Sequence, residues 1–277
     1  AAIEKVHRMR KSGAIPPGQA VEVSVKPGRY HVRETVTLTP EDSGLHFIGR
    51  GWDSTVVDGG IEVGPFIEGA NGVWSAKVPE GCRFEQLWVN DRRAVRARTP
   101  NEGRFFYMKD ECVDDPQGSF FAFPQDMSSL KGLSKKELGR VMVSYWQSWD
   151  MGYLRVKSAN VVTGRLDFKT AAVRQFFYWH KTRPRYVIAN FRAALDAPGE
   201  WFHDARAGRV LYRPRPGEDM TKVRIVAPNA KLSRLVDFRG EPDRGAYVQD
   251  IVFRNLGFAY SDATGRQEPT ESWQMQA

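Results

Sequence analysis

Residues 21–38 read VEVSVKPGRYHVRETVTL. The first five alternate apolar and polar side chains, Lys26-Pro27-Gly28 interrupts them, and a second alternating run follows from Tyr30. Alternation at period two gives an extended segment one face for a core and one for water. Proline fixes φ and glycine tolerates the positive φ that a tight turn needs. The pattern predicts short strands joined by a turn. Leu45–Ile48, residues 55–57 and residues 61–63 repeat it, with Gly49-Arg50-Gly51 and Asp58-Gly59-Gly60 between them. This spacing leaves no room for crossover helices, which predicts an all-β chain and leaves a sandwich, a barrel or a parallel β-helix to choose among.

Ahead of these strands, residues 1–12 place Ile3, Val6 and Met9 or Arg10 on one face of a short amphipathic helix, with Gly13 as its stop. Near the other end, residues 223–226, 235–238 and 248–258 alternate again. Between these parts, residues 84–221 are rich in Trp, Tyr, Phe and Arg. There Ser134-Lys135-Lys136-Glu137 has the form of a capping box that opens a helix. Residues 108–124 read as a polar loop, and strand-like runs recur at residues 87–90, 95–98, 141–146, 154–156, 165–168, 186–189 and 210–212. Three segments are expected: 1–83, a cap helix and first strands; 84–221, an inserted β domain of sandwich or barrel form; and 222–277, a return to the N-terminal architecture.

The phrase Pro27-Gly28-Arg29-Tyr30, a further strand, and the Gly-x-Gly and Asp-Gly-Gly steps together resemble the first coils of pectate-lyase-like right-handed parallel β-helices. There each coil stacks its inward Val, Ile and Leu on those of its neighbours. The resemblance selects a parallel β-helix for residues 1–83 and 222–277, with Asn255 stacking at a corner and the solenoid cut short at Ala277. Three phrases extend it: LWVNDRRAVRARTPN (residues 87–101), LDAPGEWFHDARAGRVLYRPRPGED (195–219) and VQDIVFRNLGFAYS (248–261). They resemble the N-terminal half of the β-helix glycoside hydrolases of families 141 and 120, in which a small immunoglobulin-like or barrel-like domain interrupts the solenoid. The first two phrases are specific in combination; the third is general to solenoids. The resemblance runs from about Val21 onward. It implies part of an exported bacterial enzyme, extracellular or periplasmic, that hydrolyses polysaccharide, with relatives acting as fucosidases, xylanases or xylosidases. It also implies two carboxyl groups flanking the scissile bond. In the family these come from central coils downstream of the matched region, so no catalytic residue is carried onto this chain, which alone is expected to be inactive.

The composition narrows the partners. A chain of 277 residues with 41% hydrophobic side chains can fill a core. Lys and Arg outnumber Asp and Glu by 41 to 33, and the resulting charge of +8 makes acidic polymers plausible ligands. The basic residues are scattered, as in Arg92-Arg93, Lys135-Lys136 and Arg183-Pro184-Arg185, in no recognisable nucleic-acid module. That argues against nucleic acid. Cys82 and Cys112 have no metal-ligand spacing, and both a disulfide and two free thiols remain open. No long apolar run predicts a membrane span, and residues 1–12 lack the apolar core of a signal peptide. With no GxSxG elbow, phosphate-cradling GxxxxGK or dinucleotide fingerprint, no cofactor is expected.

The expected partner is a polysaccharide or oligosaccharide. Arg96, Arg98 and Asn101 are the candidate contacts, because a guanidinium fork suits vicinal oxygens or a uronate. Alternation places Arg96 and Arg98 on one strand face. Within the aromatic-rich stretch, Trp149 or Trp179 is the candidate outward platform for a sugar ring, while most of the other rings belong to a core. Glu200 and Asp204, beside Trp201 and His203, are tempting as a catalytic pair. The preferred reading is structural: a Pro-Gly turn, Trp201 in the core and Glu200 capping backbone amides. His180 and His203 have no carboxylate or cysteine at ligand spacing, so no metal site is expected. Three functions fit: a glycoside hydrolase, a polysaccharide lyase on an acidic glycan, or a glycan-binding module without catalysis.

Overall fold

The computed structural model describes residues 2–16, 18–78, 82, 84–148, 150–178, 182–262 and 273–274. The chain divides into two compact units. One comprises Ala1–Glu62, Gly81–Glu85 and Val226–Thr264; the other comprises Val63–Glu80, Gln86–Ile225 and Gly265–Ala277.

In the first unit the helix forms at Ala2–Lys11 with Val6 buried, and Gly13 follows it at φ 75°. Val6 packs with Ile15 and Leu45, flanked by Ile3, Val21, Val23, Phe47 and Ile251. Val21–Ser24 pairs in parallel with Leu45–Ile48, which pairs in parallel with Val252–Arg254. Gly28–His31, Thr55–Asp58 and Gly257–Ala259 form a second three-stranded parallel set, and Val36–Leu38 pairs with Val236–Phe238. Gly60–Glu62 runs antiparallel to residues 226–228. Gly49 ends its strand where a Cβ would lie 2.1 Å from the Asn255 carbonyl oxygen, so only glycine lets the two segments approach. Asn255 itself turns the chain at φ 54°.

The second unit is antiparallel almost throughout. One sheet runs in the order Val95–Arg96, Glu200–Asp204, Arg209–Tyr212, Trp74–Lys77 and Ile67–Glu68. The largest sheet of the molecule is centred on Met142–Trp146, between Asp150–Ala159 and Arg185–Ala189. Beyond these lie Arg98–Thr99 on one side and Arg165–Phe168, Ser119–Phe121 and Asp110–Glu111 on the other. The long strand Asp150–Ala159 changes register between Val156 and Ser158, which lets it serve Met142–Trp146 along its first half and Arg165–Phe168 along its second. The turn after it is tied by Asn160 Oδ1, which accepts the amides of Val162 (3.0 Å) and Thr163 (3.1 Å). Gly164 closes the turn at φ 86° where a Cβ would sit 2.1 Å from Ala122 O. The capping box forms as expected: Ser134 Oγ accepts from the Glu137 amide at 3.3 Å and Glu137 Oε2 accepts from the Ser134 amide at 2.9 Å, opening Lys135–Leu138.

These pairings correct the predicted architecture. The chain is all-β, but it is not a right-handed parallel β-helix. Among the described residues parallel pairing stops at two or three short strands, no solenoid closes, and the largest sheets are antiparallel almost throughout. The reason is physical. Period-two alternation reports which side of a strand is buried and is the same whether its neighbour runs with it or against it. A second correction concerns residues 108–124, read as a polar loop: Met108, Cys112, Phe120 and Ala122 are fully buried there, and Ser119–Phe121 is a strand. Both cysteines are free thiols. No helix among the described residues is long and apolar enough to cross a membrane.

Candidate functional site

The tempting carboxylates are occupied by backbone. Glu200 is buried, and its Oε2 accepts the amides of Ala197 (3.0 Å) and Asp196 (3.1 Å), while its Oε1 faces the Arg98 amide at 3.4 Å. Burial pushes this carboxyl above its ordinary pKa, against the pull of the three amides. Trp201 is 1% exposed. Asp204 Oδ1 accepts the amides of Arg206 and Ala207, both at 3.1 Å, and its Oδ2 meets Arg192 Nη1 at 3.4 Å. Both carboxylates therefore shape turns, a role the structural reading had given to Glu200 alone. Glu200–Asp204 is nonetheless a strand, which the Pro-Gly turn ahead of it obscured.

Arg96 and Arg98 do not share a face of one strand. The chain changes sheets at buried Ala97: Val95–Arg96 pairs in parallel with Glu200 and Trp201, and Arg98–Thr99 pairs antiparallel with Ile188 and Ala189. Arg96 lies over the Trp201 ring at 4.9 Å and donates to Asn190 Oδ1 at 3.1 Å. Arg98 donates through Nε to Pro100 O (2.9 Å) and through Nη2 to Arg104 O (2.7 Å), holding the loop that carries exposed Asn101. Trp149, Trp179 and His180 lie outside the described residues.

Around Arg98 the largest sheet presents a cluster that the sequence did not single out. Cross-strand pairing sets Arg185 opposite both Trp146 and Tyr107. The Arg185 guanidinium lies 4.7 Å from the Phe105 centroid and 5.3 Å from that of Trp146; Arg98 lies 5.7 Å from Phe105. Phe105 and Trp146 meet edge to face at 5.0 Å. Each exposed cation–π contact contributes about 0.5–1 kcal/mol, enough to hold the guanidinium groups in place beside the rings. Tyr107 stands 53% exposed next to them. The result is a partly open surface that combines apolar ring faces with fork-shaped donors, the pairing that sugar C–H faces and hydroxyls require. Its signal was hidden because Arg183-Pro184-Arg185 reads as one more scattered basic pair until Trp146 is known to lie across from it. Among the described residues no group of three or more His, Cys, Asp or Glu side chains is placed to hold a metal ion.

A family model, the GH141 insertion domain, matches residues 71–215, a little over half of the chain and the whole of this cluster. A solved glycoside hydrolase is similar in fold across 94% of the chain, with a TM-score of 0.77 and 23% identity. The chain spans 46% of the length of that structure. No curated protein sequence matches it.

Proposed function

Because the chain belongs to the family of the GH141 insertion domain, we propose that it serves a glycoside hydrolase as the part that contacts carbohydrate. The observation that carries this reading is the surface of Arg98, Phe105, Tyr107, Trp146 and Arg185, which lies within the matched residues. The reaction we propose for the whole enzyme is hydrolysis by two carboxyl groups, one protonated and one ionised. Glu200 and Asp204 are spent on backbone amides, which favours a catalytic pair supplied from outside this chain. We propose an extracellular or periplasmic location on the same ground, since a polymeric substrate is too large to be imported.

Affinity electrophoresis against a panel of neutral polysaccharides tests the binding half of the proposal. At least one polymer is expected to retard the chain, and Arg185→Ala and Tyr107→Ala are each expected to relieve that retardation with the fold intact by circular dichroism. No retardation by any polymer, or retardation unchanged in both variants, overturns the assignment of this surface. Release of reducing sugar by the chain, abolished by one carboxylate substitution within it, overturns the placement of catalysis elsewhere.

A further inference from the structure

A cavity of about 310 Å³ opens on the five-stranded sheet of the second unit, away from the arginine–aromatic cluster in the chain's pairing order. Its floor is one face of two paired strands and their continuation. Ser75 sits opposite Leu211 in register, and Val73 and Arg213, two residues further along each segment, fall on the same side by the pleat. Its walls are the turn Gly69, Ala70 and Asn71, and the turn that brings Arg192 and Leu195. The first turn is built tightly: the Gly69 amide donates to Val73 O at 2.9 Å and Asn71 is held at φ 57°.

The polar groups in this lining are unevenly committed. Ser75 Oγ accepts from Arg209 Nη2 at 2.9 Å and Nε at 3.2 Å, which fixes it. Arg192 meets Asp204 at the rim. Arg213 follows the end of its strand, its amide donating to Glu200 O at 2.9 Å, and its side chain makes no hydrogen bond or ion pair among the described residues. Its Nε is closed off from the cavity as well as from water, so the part of Arg213 that a bound acceptor can meet is its Nη end, which has no acceptor among the described residues; a charged hydrogen bond made there contributes about 1.5–3 kcal/mol. The lining holds two arginines and no carboxylate. Val73, Leu195 and Leu211 provide an apolar bed beside that charge. The volume lies at the lower end of the range of about 300–1,000 Å³ found for ligand clefts, suited to one or two sugar rings rather than a long chain segment.

We propose that this cavity is a binding site for a uronate, the sugar carboxylate meeting the Arg213 fork and the ring lying on Val73 and Leu211. The identification of the ligand as a sugar rests on the carbohydrate function proposed above; the preference for a carboxylate rests on the cavity alone. A planar guanidinium matches a carboxylate through two parallel N–H bonds, which a neutral sugar of the same size does not offer. Arg192 at the rim, partly offset by Asp204 at 3.4 Å, adds a weaker attraction.

The test is titration of the full chain with D-glucuronate and, separately, D-glucose, followed by calorimetry or by amide chemical shifts. Glucuronate is expected to bind with shifts at Val73, Ser75 and Leu211, and glucose to leave them still. Arg213→Met keeps the apolar stem and is expected to weaken glucuronate by about 10- to 100-fold, the size of a lost charged hydrogen bond. Arg192→Ala, at the exposed rim, is expected to weaken it less and serves if the first variant fails to fold. Equal binding of the two sugars, or glucuronate affinity unchanged in both variants, overturns the site. So does an absence of glucuronate binding. Should neutral polysaccharide still retard the chain in that last case, only the uronate site falls; should nothing bind, the carbohydrate function falls with it.

Discussion

In the unit carrying the largest sheet, Phe120 meets Phe168, Phe176 and Tyr186 at centroid distances of 5.5, 5.1 and 5.1 Å, and all four rings are at most 5% exposed. In the other unit the strands run to only three or four residues, and the notable buried groups are carboxylates. Asp42 accepts from the Thr39 amide at 2.7 Å and faces His7 Nε2 at the same distance. Asp58, with no exposed side-chain surface, accepts from the Gly60 amide at 2.9 Å and from Arg29 Nη1 at 3.3 Å. Rings brought together from three strands and the turn at Phe176 interlock, and rings in contact gain beyond their buried area. In the other unit the rings of Phe238, Phe253 and Phe258 stay exposed, and buried carboxylates tie the turns, where shielding from water strengthens each hydrogen bond.

The comparison breaks most readily at Phe120. Phe120→Ala removes a ring shared by three others and is expected to cost about 3–5 kcal/mol, read as a fall in the urea midpoint of the second unit. A cost under about 1 kcal/mol would show that the rings merely fill space. Asp58→Ala attacks the other strategy. It removes the acceptor of the Gly60 amide and one acceptor of the Arg29 guanidinium, for an expected loss of about 1–3 kcal/mol. Hydrogen exchange should locate that loss at the Val32 and Gly60 amides, one bonded to Asp58 O and one to its side chain. Protection unchanged at both amides would mean that the short strands hold without their carboxylate tie.

Much of this was legible in advance because it is local. The strands Leu45–Ile48 and Arg165–Phe168 follow from alternation between turn residues, and the Ser134 box and the Glu200 cap follow from spacings of three or four residues. What failed depends on partners remote in sequence. Nothing in Val21 or Leu45 states that their strands run parallel while Trp146 and Arg185 face each other across an antiparallel pair. Ser119-Phe120-Phe121 was lost among Asp110, Glu111, Asp114 and Asp115, whose charge reads as loop. Asp115 is in fact the brace of that strand, its carboxylate accepting the Gly118 amide and the Ser119 hydroxyl at 3.1 Å each. The uronate cavity was likewise illegible, since Val73 and Arg213 lie 140 positions apart and meet only through the pairing of Trp74–Lys77 with Arg209–Tyr212.

A carboxylate inside the aromatic unit sharpens the contrast with the smallest expected effect. Asp167 accepts from Arg165 Nε at 2.7 Å, from Ser119 Oγ at 2.8 Å and from the Ser158 hydroxyl, linking three strands of the largest sheet. Partial burial by itself would raise its pKa, but these hydrogen bonds outweigh burial and hold it below the ordinary value. A depressed pKa in the folded state means that ionised Asp167 stabilises above the unfolded value, and that this contribution fades as pH falls through the folded one. Asp167→Asn should therefore lower the urea midpoint near pH 7 by a modest amount, since the site is partly open to solvent, and the gap from the wild type should narrow toward about pH 3. The wild type will lose stability in acid through other carboxylates as well, because Asp114, Glu137 and Asp219 are also held low by hydrogen bonds, so the difference between the two proteins isolates Asp167. A gap that stays constant with pH would mean that the three donors serve this side chain equally well when it is neutral.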